Sequence, residues 1–81
     1  MVYILESELT GRHYIGHAAN IDQRLKEHNA GKVRSTKGYR PWKTVLTEQF
    51  ATKNEAFKRE REIKSYKSGE AFRKLIFNSK G

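Results

Sequence analysis

Cysteine is absent from the 81 residues, which excludes disulfides, thiolate nucleophiles and Cys-ligated zinc together. Any metal must therefore sit on oxygen or imidazole ligands. Proline occurs once, at Pro41, and there is no Pro/Gly-rich linker, low-complexity tract or internal repeat, so residues 1–81 read as one domain. No apolar run approaches the roughly 20 residues that span a bilayer, and no basic segment with an apolar core behind it opens the chain. A cytoplasmic or nucleoid location, without a membrane partner, is the default expectation, and a monomer is the default assembly. Acid is also scarce: 9 Asp and Glu stand against 17 Lys and Arg, a formal charge of +8. Such a surplus on so small a body attracts polyanions. Nucleic acid comes first, because Lys and Arg that neutralise phosphates release counterions. An anionic membrane surface comes second. With room for one modest core, any active site must share residues with it.

What is present is a series of short elements. Val2-Tyr3-Ile4-Leu5 and His13-Tyr14-Ile15-Gly16 are apolar, β-prone runs separated by Leu9-Thr10-Gly11-Arg12, which predicts a β-hairpin. If Thr10-Gly11 is a two-residue turn, Leu9 faces Arg12 and Tyr3 faces Ala18, and Tyr3 and Tyr14 share one face of the sheet. Asn20 with Gln23 resembles a capping box, Asp22 suits the positive end of a helix dipole and Gly31 suits a stop, so a short helix is expected over 20–30. Trp42 to Phe50 predicts a third strand, and Thr52-Lys53-Asn54-Glu55 a capping box opening a helix to about Lys67. Ala71, Phe72, Leu75 and Ile76 mark the apolar stripe of a last short helix.

Four groups of residues could carry chemistry. Glu60 falls in an apolar stripe with Ala56 and Ile63, whereas Glu62 points elsewhere. A carboxylate on an inward face needs a cation, either a metal ion or a neighbouring Arg or Lys. The pattern does not choose between them. Arg24 and His28, one helical turn apart, could clamp a phosphate and relay a proton, or could be ordinary helix-surface residues. Tyr3 and Tyr14 are either sheet-core phenols or participants, and a phenol needs nearby positive charge to serve as a base. From Asn29 to Thr47 the chain carries Lys32, Arg34, Lys37, Arg40 and Lys43 and no acid, interleaved with Ser35, Thr36, Tyr39 and Trp42. This is the best candidate for a phosphate-contacting loop. His13 and His17 lie at strand ends without zinc-like spacing and read as structural or peripheral.

Taken together these residues resemble the GIY-YIG nuclease family. Its first signature matches Met1-Val2-Tyr3, with Met1 where the family has glycine, and its second matches Tyr14-Ile15-Gly16. Arg24, His28 and Glu60 fall in register with the family's later landmarks. The stretches Ser35-Thr36-Lys37, Arg40-Pro41-Trp42 and Lys58-Arg59-Glu60 look like the stand-alone bacterial subgroup, over roughly residues 1 to 77. The resemblance implies an α+β fold, a three-stranded antiparallel sheet flanked by helices in the order β-β-α-β-α-α. It implies an endonuclease acting on DNA ahead of RNA, with DNA repair as a setting, and one divalent cation, Mg²⁺ or Mn²⁺, on Glu60. Tyr3 would activate water with help from His28, Arg24 would stabilise the phosphorane, and Tyr14 would orient its neighbours. The rival reading is a basic nucleic-acid-binding module of weak or absent activity; a basic adaptor for a protein or RNA partner is another. With Met1 in the glycine position at the chain start, the first strand is expected to fray.

Overall fold

Alternation along the first apolar run splits the molecule into two cores. The structure, a computed structural model, describes residues 1–67 and 69–80, the side chains of Ser79 and Lys80 excepted. Strands β1 (Val2–Ser7), β2 (His13–His17) and β3 (Trp42–Glu48) form an antiparallel sheet in the order β2-β1-β3. Helix α1 (Ile21–Asn29) and a short 3₁₀ turn (Lys37–Tyr39) lie between β2 and β3, and α2 (Lys53–Ser65) and α3 (Glu70–Lys80) follow. This is the expected α+β order. Val2 and Ile4 pack with Ala56 and Ile63 of α2 and Phe72 and Ile76 of α3. Tyr3 and Leu5 pack on the other face with Trp42, Ile21 and Leu25. Helices therefore cover both faces of the central strand, which is why β1 is apolar at every position from Val2 to Leu5. A wholly buried side chain such as Ile63 contributes roughly 1.5–3 kcal/mol.

The hairpin departs from the expected turn. Residues 8–11 form the loop: the Ser7 N–H donates to the Arg12 carbonyl at 2.8 Å, and Tyr3 pairs with Gly16 and Leu5 with Tyr14. The Ser7 hydroxyl oxygen accepts from the Leu9 and Thr10 N–H groups at 3.2 and 3.1 Å, which supports the longer loop. Each partner has moved by two residues, an even shift, so Tyr3 and Tyr14 still share a face. The expected fraying does not occur. The Met1 nitrogen donates to the Ala18 carbonyl at 2.8 Å and Ala18 N–H donates back at 2.9 Å, and Tyr3 is paired on both sides.

Helix ends follow their caps. The Asn20 side chain accepts from Gln23 N–H at 3.1 Å, and that of Thr52 from Glu55 N–H at 3.2 Å. Gly31 ends α1 at φ 79°, its N–H donating to His28 carbonyl and that of Lys32 to Glu27 carbonyl, a Schellman closure. Three expected boundaries shift. β3 stops at Glu48, although Phe50 still packs on the core. α2 stops at Ser65, and Lys67 adopts φ 49°, outside helical geometry. On α3 Phe72, Leu75 and Ile76 face the sheet, but Ala71 is exposed.

Candidate active site

The central strand delivers Tyr3 and the last turn of α1 delivers His28, and the two meet in the buried interior. The Tyr3 hydroxyl lies 3.1 Å from His28 Nε2, and His28 Nδ1 lies 2.8 Å from the Thr36 hydroxyl. Thr36 in turn donates to the Val33 carbonyl at 3.3 Å, which leaves its oxygen free to accept. His28 therefore carries its proton on Nδ1, and Nε2 is the acceptor for the Tyr3 O–H, an assignment that follows from the bonding partners. Tyr3, His28 and Thr36 are each at most 1% exposed, so water does not interrupt the chain. Burial pushes the His28 imidazole below its ordinary range, and the Arg24 charge adds to this, so the ring is a neutral base at pH 7.

Glycine at position 16 makes this approach possible. A Cβ there would stand 2.8 Å from the Tyr3 hydroxyl oxygen, 2.9 Å from its ring carbon and 3.0 Å from the Tyr14 ring. The Tyr14 ring closes the group, its centroid 4.8 Å from His28 and 6.2 Å from Tyr3. Burial raises the Tyr3 phenol above its ordinary value; Arg24 opposes this through hydrogen bonding and charge, while Tyr14 and Glu60 add to it. Arg24 supplies the nearby positive charge that a phenolic base needs. Burial outweighs it, so the resting phenol is protonated. Arg24 also pairs with Glu27 at 2.9 Å, which orients the guanidinium.

Glu60 reaches the β2 edge from the α2 side of the sheet. It is 7% exposed, between Ala56 and Ile63, as its place in the apolar stripe requires, while Glu62 points outward to Arg59. Of the two alternatives left open by the pattern, the structure shows the neighbouring cation. One carboxylate oxygen accepts from Lys64 Nζ at 2.6 Å; the other is in close contact with Nδ1 of His17. Burial raises the Glu60 carboxyl, but His17 and Lys64 outweigh it and hold it below the usual carboxylate range. Of the two readings the sequence left for His17, structural or peripheral, its contact with Glu60 favours the first. His13 is structural: it pairs with Glu6 at 3.2 Å and packs edge-on against Phe72. Among the described residues no group of three or more His, Asp or Glu could enclose a metal ion. The donors fit a hydrated divalent cation nonetheless, since an ionised carboxylate with an imidazole beside it leaves positions for water and a phosphate oxygen.

Four of the five loop cations are exposed on the loop between α1 and β3. The loop after α1 is tied down from within: the Trp42 indole N–H donates to the Thr36 carbonyl at 3.0 Å, Asn29 brackets the Trp42 backbone, and Ser7 donates to the Tyr39 carbonyl. Trp42 and Thr36 are thus anchors, not phosphate contacts, and Lys32, Arg34, Lys37 and Arg40 are left exposed. Lys43 is apart from them, on β3 next to Glu6 at 3.7 Å, on the sheet face that carries His13. Sequence reasoning did not pair Thr36 with His28 or His17 with Glu60. Neither Thr36 nor His17 had a signal beyond its presence near a strand end or a basic stretch.

The family model for the GIY-YIG catalytic domain matches residues 1–72. The chain belongs to the GIY-YIG family, a family of nuclease domains that act on nucleic acid, generally with a divalent metal. Within it, the relatives are the UPF0213 proteins, small stand-alone members in bacteria. Those of Staphylococcus aureus strains Mu3, Mu50 and N315 are each 42% identical over 66 residues, 80% of this chain and 79% of theirs. No solved structure gives a significant match.

Proposed function

We propose that this chain is a metal-dependent endonuclease that hydrolyses phosphodiester bonds in DNA, with Tyr3, Tyr14, Arg24, His28 and Glu60 as its site. The single observation that carries the reading is the buried Tyr3–His28–Thr36 chain of hydrogen bonds with Arg24 beside it. A phenol bonded to a neutral imidazole whose tautomer is set by a third group is a proton relay.

Tyr3 passes its proton to His28 Nε2 as its oxygen takes one from the attacking water. The water oxygen bonds to phosphorus, the bond from phosphorus to the 3′ oxygen breaks, and solvent returns a proton to that oxygen. The products are a 5′-phosphate and a 3′-hydroxyl. Arg24 balances the charge that develops on the phosphorane, and Tyr14 holds the Tyr3 and His28 rings in place. A divalent cation held by Glu60, Mg²⁺ or Mn²⁺, supplies further positive charge to the scissile phosphate when bound. Lys32, Arg34, Lys37 and Arg40 hold the flanking phosphates without reading sequence; Lys43, already paired with Glu6, contributes less.

The rival, a basic module that binds without cutting, has one observation in its favour: both Glu60 oxygens already have partners. Cleavage of supercoiled, single-stranded and branched DNA, with Mg²⁺ or Mn²⁺ and with chelator, separates the two. Ion-dependent cutting that Tyr3→Phe and Glu60→Ala abolish is expected. Unchanged cutting in both variants would remove the site assignment, and tight binding by a wild type that cuts nothing would leave the binding module.

A further inference from the structure

We propose that the His17 imidazole is a second protein ligand of the divalent cation, and that the His17–Glu60 pair makes this site favour nitrogen-accepting transition cations over Mg²⁺. The inference rests on the reading of Glu60 as a metal ligand and names its partner. His17 is the last residue of β2 and pairs with Val2, so its side chain alternates with Gly16 and emerges on the α2 side of the sheet. Its Nδ1 is in close contact with one Glu60 oxygen, and its ring packs edge-on against Phe57 at 6.2 Å, which restrains the plane.

Two ligand atoms that occupy neighbouring corners of an octahedral cation at about 2.1 Å lie about 3 Å apart. The His17 and Glu60 ligand atoms stand closer than that in the structure, so ion binding requires the two side chains to separate. Lys64 occupies the other Glu60 oxygen, which leaves the His17 side for the ion. The His17 side chain is 44% exposed against 10% for Glu60, so the pair has an open approach. His17, though not Glu60, also lines a cavity of about 420 Å³ with Ala18, Thr52 and Lys53 among others, which gives water and a phosphate oxygen access to the imidazole side of the pair. Mg²⁺ is hard, holds its water and takes oxygen, whereas first-row transition cations accept imidazole more readily, Mn²⁺ the least of them and Fe²⁺ to Zn²⁺ more so. A mixed oxygen and nitrogen pair therefore discriminates where a lone carboxylate would not.

Mn²⁺ is the probe. Binding is followed by the decline of the free-ion electron paramagnetic resonance signal, and ligand identity by pulsed measurement of ¹⁴N coupling to the bound ion. The wild type is expected to bind one Mn²⁺ with imidazole ¹⁴N coupling. His17→Gln, whose amide can still donate to Glu60, should lose that coupling and weaken Mn²⁺ binding at least about tenfold, the lower end of what even partners outside the ligand shell contribute. Mg²⁺ affinity should change much less, and Glu60→Gln should abolish binding of both. Mn²⁺ bound in a Glu60-dependent way without ¹⁴N coupling, or with coupling that persists in His17→Gln, would overturn the His17 assignment and leave Glu60 standing. Absence of Mn²⁺ binding, or binding indifferent to Glu60→Gln, would overturn both. The wild-type spectrum decides the matter even if the variant fails to fold.

Discussion

Replacing Thr36 by valine keeps the shape of the side chain and removes the oxygen that accepts the His28 Nδ1 proton. His28 and Thr36 are 0% and 1% exposed, so water cannot take over the orphaned N–H. An unsatisfied buried donor costs about 1–3 kcal/mol. For a domain of this size a loss near 2 kcal/mol lowers Tm by roughly 10 °C. The imidazole escapes part of that cost by carrying its proton on Nε2 instead, but that nitrogen faces the Tyr3 hydroxyl at 3.1 Å and ceases to accept from it. Cleavage should therefore fall about ten- to a hundredfold, a part of the 10²–10⁴ that a positioned acid–base group contributes. Thr36→Ser, which restores the oxygen, should recover both stability and rate. Thermal unfolding measures the first effect, and ¹H–¹⁵N correlation of the His28 ring nitrogens reports the tautomer directly. A wild type protonated on Nε2, or a Thr36→Val variant with unaltered stability and tautomer, would refute the relay.

Other consequences are open to test. Gly16→Ala drives a methyl to within 2.8 Å of the Tyr3 hydroxyl oxygen; overpacking of this kind costs about 1–3 kcal/mol. The urea midpoint should fall, and cleavage should fall further than stability explains because Tyr3 is pushed from His28. Because the folded-state pKa of His28 is depressed below 6.5, the unfolded chain binds more protons as pH falls from that value. This contribution to stability is present above about 6.5 and is lost on acidification towards the folded pKa; His28→Gln should flatten that part of the profile in urea titrations from pH 7.5 to 5. Charge reversal at Lys32 and Arg34 should weaken DNA binding and reduce the slope of log K against log salt by about 0.9 for each phosphate no longer neutralised. Fluorescence anisotropy measures it, and Lys43→Glu, on the other sheet face, should change the slope less.

The chain's own pattern determined the element order, because each signal is local. Asn20 and Thr52 cap their helices, Gly31 closes one, and the unbroken apolar run from Val2 to Leu5 marks the central strand. The inward place of Glu60 was legible for the same reason, since helical spacing from Ala56 and Ile63 needs no tertiary information. The turn was misjudged because Thr10-Gly11 satisfies a two-residue turn as well as the longer loop that the Ser7 side chain selects. The shared face of Tyr3 and Tyr14 survived only because the register moved by an even number of residues.

Sequence alone determined that this protein is a small, basic domain with a nuclease family's residues in order along the chain. Tertiary structure decided what each of them touches. Thr36 became the partner of His28 because the Trp42 and Asn29 anchors fold a basic loop inward, and His17 became the partner of Glu60 because strand alternation aims it at α2. Spacing along the chain does not encode either contact, because both join segments whose separation is set by the packing of a helix on a sheet.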